Sequence, residues 1–389
     1  MSFLLLLGAV TSGQVRLCHQ EFYLLNRNVL ELREDGKRLS MKEAQAAFTQ
    51  HKFVPIETKG NELNKGFVSH VYWLAIPLVN LQSKEESLEA GIANAGLYNL
   101  EYYLTGPNGT ILNQYVTGKS YNYSHRPIAN RHYYFPLGLK PYTSAVVFYR
   151  IDLCGNGFNA PLRLVSTSFR QRTEASIYLF YAFFCGLLAF VAFFSLIAFF
   201  WTRSKIYLYY GIYVISGTLF FLADGDLDYP WLYPHSPGWA LIAPSMYGSV
   251  MIFFMLLFMS SFLRLKSSRK WLYRLTRVCE CSLLVLMLVI PISHSFLKVT
   301  DFRTFVYYYG VCAISSACVL ICLCVVRRVW DRFLLAYLYG AAILSVLIAV
   351  FIYVIHSFNI FSALLPTFNY ILYGFLSEIT ILSVALLYS

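Results

Sequence analysis

The sequence predicts a membrane protein in two parts: an extracytoplasmic all-β domain, a jelly roll or sandwich, followed by an all-α bundle of seven transmembrane helices. Three observations carry this expectation. Hydrophobic residues make up 58% of the chain and charged residues only 13%, against about 45–50% and about 25% in soluble domains. The apolar excess lies beyond Thr173, where long runs of Leu, Ile, Val, Ala and Phe replace a mixed sequence. Those runs number seven, and each approaches the ~20 residues that cross ~30 Å of hydrocarbon.

In chain order, residues 1–13, "MSFLLLLGAVTSG", have an apolar centre and small residues near Gly13. This is the pattern of a signal peptide without its usual basic start, so a start further upstream fits equally, and the mature chain is expected near Gln14. Cys18 follows "VRL" rather than a lipobox, which argues against a lipid anchor. Residues 14–170 read as the β domain. "GFVSHVYWLAIPLVN" alternates and ends on Asn80, and "LYNLEYYLT" and "TILNQYV" flank the turn "GPNG" as a hairpin. "RHYYFPLGL", "SAVVFYRIDL" and "APLRLVS" follow, bounded by Pro, Gly or Asn; "MKEAQAAFTQ" alone has a helical period. A segment of this length suffices for one core.

Residues 171–389 form the membrane part, with spans at 177–201, 206–222, 240–262, 278–292, 302–326, 333–355 and 367–388. Backbone groups cannot stay unpaired in lipid, so each span is a helix. The fourth is the shortest and carries Glu280 near its start. The gaps after the first, third and fifth spans hold eleven of the thirteen basic residues beyond Thr173, whereas the opposite side has only Lys298 and, at the start of the fifth span, Arg303. Positive charge marks the cytoplasmic side. The first domain is therefore expected outside and the C-terminus inside. The net charge of +11 thus reports membrane topology, and nucleic acid is not an expected partner.

Of nine cysteines, only Cys18 and Cys154 fall in the outer domain, where a disulfide remains open. The other seven lack zinc spacing and suit buried small hydrophobes. No metal or cofactor is expected. An enzyme is disfavoured, since His235, His294 and His356 are never paired at helical spacing and no phosphate loop or nucleophile elbow occurs. A transporter would want repeats and several midplane charges, and seven spans divide badly into repeats. It stays the alternative, beside a membrane-embedded scaffold or partner subunit without its own output.

Two sets of residues stand out. A carbohydrate site needs aromatic rings for apolar sugar faces and polar groups for hydroxyls. "GKSYNYSHRP" supplies Tyr121, Tyr123, His125 and Arg126; Trp73, Tyr98, Tyr102 and Arg131 complete the candidate ligand set. Against this, aromatics at period two usually build a core, and Arg126 and Arg131 suit loop bracing. The second set is a candidate signal relay. Asp224, Asp226 and Asp228 lie in the outer loop "LADGDLDYPWLYPHSPGW", which lacks the sixth-position Gly and the distal Glu of a calcium loop. Docking of this loop against the β domain is the better expectation. Glu378 interrupts "GFLSEITILSVALLYS" near mid-depth, and a carboxyl there should face the bundle interior. No Lys or Arg shares its depth, so hydroxyls such as Ser216, Thr218, Ser249 or bundle tyrosines are its expected partners.

The ordered segments "VYWLAIPLVN", "LYNLEYYLTGPNG", "VTGKSYNYSHRPIANRHYYFPLGL" and "APLRLVS" resemble the type 2 extracellular domain of the bacterial seven-transmembrane receptors with diverse intracellular signalling modules. "KIYLYYGIYVISGTLFFLADG" is similar to that family's second helix and loop, and "FLRLKSSRKWLYRLTR" to its third cytoplasmic approach. "GFLSEITILSVALLYS" is similar to its last helix, with Gly374, Glu378 and Ser383 in the pattern. The resemblance implies a jelly-roll sensor of sugars or cell-wall-derived ligands in a bacterial inner membrane. It also implies relay through seven helices to a kinase, a cyclic-di-GMP enzyme or a phosphatase. The expected partners are the lipid bilayer, an extracytoplasmic small-molecule or carbohydrate ligand and a cytoplasmic signalling module or partner; a homodimer is compatible. Sequence ending at Ser389 is expected to continue into the output module, with a separate partner as the other option.

Overall fold

The computed structural model describes residues 14–56, 63–67, 70–94, 96–153, 157–159, 161–295, 300–357 and 370–387. The leader-like segment, Cys154 and the first residues of the expected seventh span lie outside these. The chain divides into two compact units, one through Phe180 with Gly225–Leu241, the other Tyr181–Asp224 with Ile242 onward. The loop between the second and third spans thus belongs to the outer unit.

The outer unit begins with β1 (Val15–Leu17), β2 (Phe22–Leu24), β3 (Leu30–Arg33), helix α1 (Met41–Thr49) and β4 (Val54–Pro55). There follow β5 (Asn64–Phe67), β6 (Tyr72–Asn80), β7 (Glu86–Ile92), β8 (Asn99–Thr105) and β9 (Ile111–Thr117). β10 (Tyr133–Leu139), β11 (Ser144–Asp152), β12 (Gly157–Asn159) and β13 (Leu162–Val165) complete it. One sheet runs β4-β3-β6-β11-β8-β9 with β1 parallel beside β6; the second runs β10-β7-β13-β2; β5 and β12 form a separate pair.

Alternation explains the layering. Every residue of β6 is buried. Tyr72, Leu74, Ile76 and Leu78 enter the core shared with Leu88, Ala90, Tyr133, Phe135 and Leu164 of the second sheet. Trp73 and Ala75 point the other way and pack with Met41, Ala44, Phe53 and Phe148 under α1. The first sheet therefore carries apolar residues on both faces, one for its partner sheet and one for a helix. Ser40 and Glu43 close a capping box that starts α1. The expected β8–β9 hairpin forms, with Gly106 N–H donating to the Thr110 carbonyl at 2.8 Å and Gly109 at φ +74°.

Seven helices are long and apolar enough to cross a membrane. α2 (Thr167–Thr202), α3 (Lys205–Asp224), the short α4 (Tyr229–Leu232) and α5 (Pro237–Phe262) come first. The short α6 (Leu265–Ser268), α7 (Lys270–Ser295), α8 (Thr300–Trp330), α9 (Leu334–Ser357) and α10 (Tyr370–Leu387) follow. α2 starts ten residues ahead of its apolar run, and α7 absorbs the basic segment up to Arg277. Hydropathy marks only the part of a helix that lipid surrounds, so polar helical turns beyond the membrane escape it.

In the second unit the usual distribution of apolar surface is inverted. Phe183, Phe190, Leu288, Val319 and Phe351 are more than half exposed, whereas Tyr210, Tyr213, Ser249, Tyr339 and Glu378 are buried. Lipid rewards that arrangement, because polar atoms are cheapest inside the bundle. Small residues set the closest approaches. A Cβ on Gly217 of α3 would lie 2.3 Å from Phe375 Cζ of α10, and one on Gly374 would lie 2.4 Å from Ala349 Cβ of α9.

Candidate functional site

The segment after β9 turns sharply at Gly118. Its φ is +140°, and a Cβ there would lie 2.4 Å from the Tyr98 carbonyl oxygen, so only glycine fits. Lys119 and Ser120 then donate their N–H groups to the carbonyls of Leu97 and Tyr98 at 2.7 and 3.0 Å. A single 3-10 turn at Tyr123–His125 follows, and Arg126 closes it by donating its N–H to the Tyr123 carbonyl at 3.1 Å. This path points Lys119 and Arg126 inward.

The Arg126 side chain is 1% exposed. Its Nη1 donates to the carbonyls of Asn130 and Arg131 at 2.6 and 2.7 Å, and Nη2 donates to Asp226 Oδ2. Three aromatic faces surround the guanidinium: Tyr133 at 4.6 Å, Tyr123 at 4.8 Å and Tyr229 at 5.7 Å. A desolvated cation gains from such rings. Burial opposes its charge, but Tyr133 and Asp226 outweigh burial and hold Arg126 further in its protonated form. Asp226 is wholly buried, sits in the left-handed region at φ +56°, and places Oδ1 3.3 Å from Lys119 Nζ. One carboxylate thus serves two buried cations.

More contacts hold the loop around Asp226. Tyr229 Oη donates to the Tyr121 carbonyl at 2.5 Å, and Tyr123 N–H donates to the Pro234 carbonyl at 3.0 Å. Tyr233 Oη donates to Asp228 Oδ2. Burial pushes the Asp228 carboxyl above its usual range despite that bond.

The first turns of α2 are tied to the second sheet. Glu89 receives Arg170, whose Nη2 lies at 3.2 Å, and Thr167 Oγ1 at 2.9 Å. Glu174 pairs with Arg131 Nε at 2.8 Å, and Phe169 packs on Phe22 with ring centroids 5.5 Å apart. His132 is half-buried beside this pair with its Nδ1 3.2 Å from Arg163 Nη2. Burial, reinforced by Arg131, Arg163 and Arg126, holds its imidazole well below the ordinary histidine range.

The two candidate sets therefore merge. Arg126, Tyr121 and Tyr123, read as ligand contacts, lie against the loop of the relay residues Asp226 and Asp228, through Asp226, Tyr229 and Pro234. Arg131 pairs with α2 and braces structure, as its alternative reading held. His125 is exposed with its ring 5.4 Å from Tyr121, Tyr98 is half-buried, and Asp224 is exposed at the end of α3. Trp73 and Tyr102 require correction, because both are fully buried. Trp73 Nε1 donates to Glu34 Oε1 at 2.8 Å within the buried Glu34–Arg150–Glu101 ion network. Tyr102 stacks on Phe135 at 4.4 Å between the sheets. Neither ring can meet a solvent-borne ligand. Lys119, Tyr133 and Tyr229 were missed. The first lies two residues before the Tyr121–Arg126 cluster, and the others are single tyrosines among thirty-one. Among the described residues no three His, Cys, Asp or Glu side chains gather as a metal set.

In the membrane unit Glu378 Oε2 accepts from Tyr213 Oη at 2.9 Å. Its Oε1 and the Tyr339 hydroxyl are buried without a hydrogen-bond partner among the described residues. Tyr210 Oη donates to the Ile379 carbonyl at 2.7 Å, one residue further along α10. Ser216, Thr218 and Ser249 are not the partners expected of them. Their hydroxyls donate to Ile212, Val214 and Ser245 carbonyls on their own helices at 2.7–2.8 Å. Short hydroxyl side chains reach back to the preceding turn, whereas tyrosine spans the gap between helices.

A family model described as 7TM diverse intracellular signalling matches residues 177–389, and one described as 7TMR-DISM extracellular 2 matches residues 26–166. Comparison with curated proteins finds no match.

Proposed function

The chain belongs to the seven-transmembrane receptors with diverse intracellular signalling modules, and from that membership we propose that it is a sensor whose outer domain passes ligand occupancy into the helices through the Asp226 loop. It is a multi-pass membrane protein with an extracellular sensor domain. In this reading the outer domain is a jelly roll that takes a carbohydrate or cell-wall-derived ligand. The protein sits in a bacterial inner membrane with its C-terminus in the cytoplasm. The signal goes to a cytoplasmic module or partner, and this part of the protein is itself no enzyme.

The observation that carries the reading is the buried Arg126–Asp226–Lys119 cluster. It makes the link between α3 and α5 part of the sensor's own packing. A change in the 118–131 loop therefore acts on both helices through a short covalent connection, and the grip on Thr167–Glu174 acts on α2. The ion pair gives this link geometric definition, the best-attested use of buried charge.

The test is hydrogen exchange on the protein in lipid nanodiscs, titrated with sugars and muropeptide fragments. A true ligand slows exchange within 26–166 and alters it in 225–236. A ligand that protects only the spans would sink the outer-sensor reading.

A further inference from the structure

The loop that carries Asp226 has a second face. On α4, Tyr229 is fully buried against the Arg126 cluster, while Trp231 is 82% and Leu232 57% exposed. The turn is closed, since the N–H groups of Trp231 and Leu232 donate to the Asp228 carbonyl at 3.1 and 2.8 Å. Loop mobility therefore does not account for the exposure. The two large apolar side chains are held outward by a backbone pinned at Asp226, Asp228, Tyr229 and Pro234.

We propose that Trp231 and Leu232 form a lipid anchor, seated at the boundary between headgroups and acyl chains of the outer leaflet. The surface is continuous with the established membrane-crossing surface. From Tyr229 through Leu263 the chain carries no Asp, Glu, Lys or Arg. α5 takes 26 of those residues, more than the ~20 that a crossing requires. The uncharged surplus lies at the outer end, and it holds Trp231, with Trp239 following on α5. Both ends of the 225–236 segment are ends of spans, so the segment stays near the membrane surface whatever the sensor does. Tryptophan has an apolar body and one N–H, which suits the interface better than either water or hydrocarbon.

The inference does not depend on ligand sensing. It adds a second partner to the same loop, with the sensor on one face and the bilayer on the other.

The experiment uses the unsubstituted protein in phosphatidylcholine liposomes doped with a photo-crosslinking phosphatidylcholine whose reactive group sits near the headgroup. Adducts are expected on the peptide containing Trp231 and Leu232. In parallel, Trp231→Phe is compared with the parent for quenching by lipids brominated high on the acyl chain and by aqueous iodide. The substitution should remove about one of six equal tryptophan shares from the bromolipid-quenched emission and leave the iodide-quenched emission unchanged. No adduct on that peptide, with the lost emission quenched by iodide, would overturn the anchor. So would a crosslink from this peptide to a second copy of the chain in place of lipid. The crosslink decides the matter if Trp231→Phe folds poorly.

Discussion

Asp226→Ala strips the counter-ion from two cations at once. The Arg126 side chain is 1% exposed and that of Lys119 9%, so water cannot take over the lost charge without opening the loop. Removing one partner of a buried pair costs about 3–5 kcal/mol, mostly because the remaining charge is left uncompensated. At 1.4 kcal/mol per factor of ten, the 225–236 segment should open about 10²- to 4 × 10³-fold more often. Hydrogen exchange in nanodiscs reads that ratio directly, as faster exchange of the amides of Trp231, Leu232 and Tyr123. Asp226→Asn keeps shape and some hydrogen bonding and should fall between. Arg126→Met in the Asp226→Ala background removes one orphaned cation, so the double variant should exchange more slowly than the sum of the single effects requires. Unchanged protection in Asp226→Ala, or strictly additive effects, would refute the reasoning, since a pair that stabilises the docked loop must be coupled.

Four further outcomes are expected. Tyr213→Phe removes the hydrogen bond to Glu378 and should destabilise the bundle by about 0.6–1.7 kcal/mol, the range for interhelical hydrogen bonds in membranes. In a receptor with its output module attached, Glu378→Leu should change basal output and Glu378→Gln should not; wild-type output from both at normal protein level would remove Glu378 from the relay. Gly217→Ala drives a methyl into Phe375 and should cost about 1–3 kcal/mol, largely recovered in Gly217→Ala/Phe375→Leu; a thermal melt in detergent that shows no recovery would refute the contact. The folded state holds His132 well below the ordinary histidine range, so its contribution is complete above the unfolded value near 6.5 and is lost as pH falls below it, at about 1.4 kcal/mol per pH unit. Opening free energies of the β10 amides between pH 7 and 5 should follow that slope, and His132→Gln should flatten it.

Much of the architecture is legible in the residues because lipid and β-sheet cores are strict readers. Seven apolar runs become seven helices, and "GPNG" becomes a turn. What periodicity cannot convey is the depth of burial on each face. Trp73 is open to both a core and a ligand reading because an alternating strand usually leaves one face to solvent, and here α1 covers that face. The carboxylates of the Asp226 loop point to docking, but the sequence leaves its partner Arg126 open between a ligand contact and a loop brace. Sequence shows that a cation is present and says nothing about which anion, a hundred residues away, will neutralise it. Glu378 is expected to face inward and does, and among the hydroxyls open to it as partners a tyrosine is the one that reaches it, because reach between helices is a three-dimensional quantity.

α2 runs unbroken for 36 residues. At 1.5 Å per residue it is a rod about 54 Å long, well beyond the ~30 Å hydrocarbon core. Its top is gripped by Glu89 and Glu174 chemistry. A stiff rod converts small angular errors at one end into large displacements at the other. A tilt of about 5° imposed on the gripped turns would sweep the far end by roughly 5 Å, about one helical pitch. In the proposed relay the first span is thereby a lever with a mechanical advantage built into its length. Shortening or hinging it, for example with a Gly-Pro pair near Cys185, should uncouple the two faces of the membrane while leaving both ends folded.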